Sequence, residues 1–143
     1  MTTIAIASDH AGYEMKAQIA SWLAGAGYEV LDLGCNGPES VDYPDFATAL
    51  ASAINGKRAA RGVLICGSGI GISIAANRHP GIRAALVHDV TTARLARQHN
   101  DANVVALGAR IIGAEIAKDC VDAFLATDFE GGERHSRRIA KMG

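Results

Sequence analysis

The chain has 143 residues, with 14 Lys plus Arg against 15 Asp plus Glu, a formal net charge of −1 and a hydrophobic fraction of 49%. That length suits one domain, 1–143, with a genuine core, because a chain near this size buries roughly 70% of its unfolded surface. A balanced charge without runs of one sign excludes the electrostatic footprint of nucleic-acid or anionic-membrane binding. The apolar runs are too short to cross a bilayer, and the N-terminus lacks the basic and apolar regions of a signal peptide, so a soluble cytoplasmic protein is expected.

In chain order, residues 3–8 read as a first strand. After Gly12 a helix follows, with Met15, Ile19, Trp22, Leu23 and Ala26 at helical spacing, and Gly27 ends it. Residues 29–33 read as a second strand. Gly34 to Pro38 form a loop, Pro44 starts a helix running to Asn55, and Gly56 lies just past its end. Residues 62–66 are a third strand, followed by a helix over 71–77, the turn His79-Pro80-Gly81 and a fourth strand over 82–87. A helix over 91–99, a strand over 103–107 and a helix over 113–126 complete the series, the last with Ile116, Val121, Phe124 and Leu125 facing inward. The tail from Glu133 is helical and basic. This alternation predicts an α/β fold, a three-layer α/β/α Rossmann-like domain with a five-stranded parallel sheet. Ligands of such folds bind outside the carboxyl ends of the strands, and every polar cluster below is expected at such an end.

The segment Val63 to Ser73 is the most informative. An apolar strand ends in Cys66 and runs into Gly67-Ser68-Gly69-Ile70-Gly71 before a helix, which presents backbone N–H groups to an anion and sets a thiol beside a helix's positive end. A buried structural thiol is the ordinary alternative; the glycines and Ser68 favour a reactive one. Cys35 and Cys120 lack that context and read as structural. Three cysteines without CxxC or metal-ligand spacing indicate neither a disulfide framework nor a zinc site. Gly67, Gly69 and Gly71, with Asp89 downstream, imitate a dinucleotide fingerprint, but that motif needs glycine where this chain has Ile72.

Other candidates flank the elements. Asp9-His10 could orient a polar ligand, or Asp9 could simply cap a helix. Asp42 and Tyr43 could offer a carboxylate and a phenol to a sugar, although a capped helix start explains them as well. His99, beside Asn100, could act as a general acid or base or as a charge partner of its helix end. Arg110 follows the fifth strand. Arg134, His135, Arg137, Arg138 and Lys141 form either a solvated basic face or a phosphate clamp. Together a thiol base, a histidine, N–H donors and arginines suit a small phosphorylated substrate bearing a carbonyl group.

Ser8 to Gly12, Asp42-Tyr43-Pro44, Ile65 to Asn77, Arg97 to Asp101, Leu107 to Arg110, and Arg134-His135 with Arg138 resemble, in order and over nearly the whole chain, the type B ribose-5-phosphate isomerases and their sugar-phosphate isomerase relatives. The resemblance implies an enzyme without metal or other cofactor that interconverts ribose 5-phosphate and ribulose 5-phosphate through a cis-enediol. In it Cys66 is the base, His99 opens the sugar ring, and Asp9, Tyr43 and Asn100 hold hydroxyls. The Gly67, Ser68, Gly69, Ile70 and Gly71 backbone, with the Ser68 hydroxyl, would stabilise the enediolate, and His10, Arg110, Arg134 and Arg138 would hold the phosphate. One branch of the family places a glutamate where this chain has Ile72, and many members have threonine for Ser68. The resemblance also implies a homodimer or tetramer whose active site is shared between subunits. Isomerases of allose 6-phosphate, galactose 6-phosphate or a tetrulose phosphate share this chemistry, and a non-catalytic sugar-phosphate binding protein would not need the base.

Overall fold

The computed structural model describes residues 1–143. The chain runs β1 (Thr3–Ser8), α1 (Tyr13–Gly25), β2 (Glu29–Asp32), α2 (Tyr43–Asn55), β3 (Arg61–Cys66), α3 (Ile70–Asn77), β4 (Ala84–Leu86), α4 (Val90–Asn100), β5 (Val104–Gly108), α5 (Ala114–Ala126) and α6 (Glu133–Met142), with a 3-10 turn at His10–Gly12. All five strands are parallel, in the order β2-β1-β3-β5-β4. The expected three-layer α/β architecture is the one observed.

The two-residue period of the strands sorts the core into two layers. Ile4, Ile6, Val63, Ile65, Val105 and Leu107 face one way, against α1, α4 and α5; Ala5, Ala7, Leu64, Cys66, Val104 and Ala106 face α2 and α3. Because both faces are covered, the strands are near-continuous apolar runs. The second face is built of small residues, so α2 sits close. A Cβ on Gly62 would come within 2.6 Å of a Leu50 methyl. Strand parity therefore aims the Cys66 side chain at α3, the helix that follows it. No helix is long and apolar enough to cross a membrane.

Three local expectations need correction. The fourth strand is only Ala84–Leu86, because at the sheet edge it pairs with β5 alone and the Arg83 N–H turns to the Asn103 Oδ1, 2.8 Å away, instead of a ladder carbonyl. In α5 the buried stripe is Ala117, Cys120, Val121 and Phe124, which leaves Ile116 half exposed rather than inward. Ala26, beyond the end of α1, is exposed as well, while Lys16 is buried and pairs with Asp32 at 2.7 Å.

Candidate active site

The order of the strands reverses beside β1, so the carboxyl ends of β1 and β3 flank a crevice. The Asp9 N–H donates to the Ile65 carbonyl at 3.2 Å and brings the first cluster against the Cys66 strand. Asp9 is buried, and its Oδ1 accepts from the Gly12 N–H at 3.2 Å, so it caps the 3-10 turn. His10 accepts the Val41 N–H on Nδ1 at 3.1 Å. An imidazole that accepts there carries its proton on Nε2, ready to donate to an anion. Asp42 stands at the start of α2 but makes no side-chain capping bond, contrary to the capped-start expectation.

The turn after Cys66 works because its backbone is left-handed at one residue. Gly69 has φ +77°, and a Cβ there would strike a Leu86 methyl at 2.6 Å and the Leu107 carbonyl carbon at 2.8 Å. Only glycine meets both demands. The Gly69 N–H donates to the Cys66 Sγ at 3.1 Å, and the Ile70 N–H donates to the Ser68 Oγ at 3.1 Å. Within the turn the N–H groups of Gly67, Ser68 and Gly71 have no acceptor in the chain. They are the open donors at the N-terminus of α3, where the helix dipole favours negative charge.

Neighbouring elements complete this half of the site. The Tyr43 ring packs over Gly71, where a Cβ would lie 2.5 Å from its Cζ, and the Arg110 guanidinium lies against Gly67. The chain thus brings together Asp9, His10, Tyr43, Cys66, the Gly67–Gly71 turn and Arg110. His88 escaped the sequence reading. Its Nε2 accepts the Gly108 N–H at 3.2 Å and steadies the strand end that carries Arg110.

His99, Asn100, Arg134 and Arg138 lie elsewhere. Helix α4 starts beyond the carboxyl end of β4 and its eleven residues run back about 16 Å, so His99 and Asn100 end up at the amino ends of the strands. There the Arg83 Nε donates to the Asn100 carbonyl at 3.1 Å, just before β4 begins. The first turn of α6 packs on this end: the His99 and His135 rings stack with centroids 4.6 Å apart. The expectation that every cluster sits at a carboxyl strand end fails for this group, because a helix returning antiparallel to the sheet carries its last turn to the opposite edge. Within one chain the candidate residues form two separate groups.

The family model described as Ribose/Galactose Isomerase matches residues 4–142. Among curated relatives, ribose-5-phosphate isomerase B of Escherichia coli is 47% identical over 139 residues, covering 97% of this chain and 93% of that protein. The D-erythrulose-4-phosphate isomerase of Pectobacterium atrosepticum is 46% identical over 144 residues, covering 100% of this chain and 94% of that protein. The solved ribose 5-phosphate isomerase of Thermotoga maritima superposes with TM-score 0.97 at 53% identity, covering 99% of this chain and 97% of that one. That of Clostridium thermocellum gives 0.97 at 51%, covering 99% and 95%. Matched from end to end in sequence and fold, the chain belongs to the ribose/galactose isomerase family and is a sugar-phosphate isomerase of the aldose–ketose class.

Proposed function

We propose that this enzyme interconverts ribose 5-phosphate and ribulose 5-phosphate through a cis-enediol, with Cys66 as the base. The observation that carries the reading is the Cys66 thiol at the N-terminus of α3, accepting the Gly69 N–H beside three unpaired backbone donors. The Gly69 N–H donor and the positive end of α3 both lie beside this sulfur. The thiolate takes the C2 proton, the electron pair moves to form the C1–C2 double bond, and negative charge gathers on O1 within reach of the Gly67, Ser68 and Gly71 N–H groups. The O2 hydroxyl proton passes to O1, the electron pair left on O2 forms the C2 ketone, and C1 takes back the proton held on the Cys66 sulfur, which restores the thiolate. Asp9 and Tyr43 hold hydroxyls, while His10 and Arg110 take the phosphate with Arg134 and Arg138.

His99 precedes this step by opening the furanose: it moves the O1 hydroxyl proton to O4 as the C1–O4 bond breaks. Its distance from Cys66 along the fold supports a site assembled from two chains, in which the second copy brings His99, Asn100, Arg134 and Arg138 to the Cys66 crevice. Ile70 and Ile74 on α3 and Leu86 on the edge strand, all solvent-exposed in one chain, offer an apolar face for that copy.

The relative named for D-erythrulose 4-phosphate, as similar as the pentose enzyme, favours a four-carbon sugar as the second reading. One experiment treats substrate and roles together. A four-carbon aldose 4-phosphate cannot close the furanose, since its O4 carries the phosphate. On ribose 5-phosphate, Cys66→Ser and His99→Asn should each lower kcat/KM by roughly 10²–10⁴-fold. On the four-carbon sugar only Cys66→Ser should do so. Near-normal turnover by Cys66→Ser defeats the base assignment, and equal losses of His99→Asn on both sugars defeat ring opening. A wild-type kcat/KM higher for the tetrose establishes the second reading.

A further inference from the structure

We infer that His99, Glu130 and His135 form a binding site for a divalent ion of the zinc class, and that an ion held there withdraws the His99 imidazole from the reaction. The inhibitory half of this inference rests on the role given to His99 above; the site itself rests on geometry.

Three elements converge on it. His99 lies in the last turn of α4 and His135 in the first turn of α6, and Glu130 belongs to the segment that joins α5 to α6. The Glu130 N–H donates to the Gln98 carbonyl at 3.1 Å, which pins its backbone next to His99. Gly131 and Gly132 follow with φ +75° and +89°, a left-handed pair that turns α6 back over α4. The two imidazole planes lie 13° apart with centroids 4.6 Å apart, and the Glu130 Oε2 is 3.7 Å from the His135 Nε2. One ligand atom from each of the three residues lies within 4.8 Å of the other two.

Two imidazoles and a carboxylate are the donor set of zinc sites that keep a fourth position open, and imidazole suits cobalt and nickel too. Zinc bonds of about 2.0–2.2 Å require the donors to close in. The exposed Glu130 side chain, with rotation of the rings about their Cβ–Cγ bonds, can supply that movement. The His135 Nε2 is the ring nitrogen that faces Glu130 and is placed to ligate the ion. The Arg134 Nη2, 3.4 Å from that nitrogen, is the group an ion must displace. Nothing in the isomerisation calls for this ion; it competes with the substrate for His99.

The test titrates Zn²⁺ into the full-length protein by calorimetry and follows Co²⁺ by its visible absorption. One ion per chain is expected, with loss of ribose 5-phosphate turnover that a chelator restores. Glu130→Gln should keep the metal-free activity. It and His135→Gln should weaken the ion by more than the ~10–100-fold that loss of an outer-shell partner costs. Cys66→Ser, which removes the other soft ligand near the reaction, should leave the affinity unchanged. Zinc affinity indifferent to Glu130→Gln and His135→Gln, or abolished by Cys66→Ser, overturns the site. Binding that depends on Glu130 and His135 but spares turnover establishes the site and overturns instead the role of His99 in ring opening.

Discussion

A thiol is a useful base only when its surroundings favour the anion, and the three cysteines, all buried, stand in different surroundings. Cys35 donates to the Gly37 carbonyl at 3.4 Å. Cys120 is packed inside α5, where burial, and after it Asp89 and Asp119, push its pKa from 9.0 up to about 11. Cys66 instead accepts an N–H. Iodoacetamide should therefore inactivate the native enzyme by labelling Cys66, with protection by sugar phosphate, and should reach Cys120 only after unfolding. Peptide mapping that finds Cys120 labelled in step with inactivation would refute this. The raised Cys120 pKa also fixes a sign. Above pH 9 the unfolded thiol releases its proton while the folded one keeps it until about pH 11, so folding stability falls as pH rises through that window. Cys120→Ala should flatten that part of the stability curve in urea titrations at each pH.

At the scale of one element, the end of α4 is held by its own Arg97 and by Arg83, which precedes β4. Asp101 stands in the left-handed region at φ 44°, ψ 44°, immediately after His99 and Asn100, where a side chain costs about 1–2 kcal/mol. Its carboxylate accepts from the Arg97 Nη1 at 2.8 Å and the Arg83 Nη2 at 3.3 Å, and the Arg83 Nε donates to the Asn100 and Asp101 carbonyls, each at 3.1 Å. Hydrogen bonds to charged groups contribute roughly 1.5–3 kcal/mol. Asp101→Ala should thus lower unfolding free energy by ~2–4 kcal/mol, and Asp101→Gly by about 1 kcal/mol less, since glycine accepts this backbone. Urea midpoints at unchanged slope check both values. If glycine proves as costly as alanine, the backbone contribution is absent.

At the scale of the molecule, the two groups of candidate residues stand at opposite ends of the sheet, and the proposed two-chain site makes activity a property of paired chains. Cys66→Ser and His99→Asn chains are each inactive in this scheme. When they are co-assembled at equal amounts, half of the dimers are mixed, and each mixed dimer has one site with both lesions and one with none. About a quarter of wild-type activity should return. A site confined to one chain would return nothing, even with mixed dimers confirmed by mass. Arg110 is unsuitable for this test, because it lies against Gly67 and so shares a half-site with Cys66.

The sequence by itself determined the elements and the turn that carries Cys66. Apolar runs and helical spacing act over a few residues, so the strands, helices and parallel sheet were legible, as was the Cys66 turn, whose thiol, glycines and helix start are contiguous. The errors fell at edges and ends: the short β4, the exposed Ile116, and Ala26 left exposed beyond the end of α1. Only the tertiary structure decided which candidates meet. His99, Glu130 and His135 touch because α5 returns the chain to the end of α4 and two left-handed glycines fold α6 onto it. His99 and Cys66 are parted because α4 runs antiparallel to the strands. Spacing along a chain carries no record of which end of a sheet a helix reaches, and that depends on its length and direction once packed.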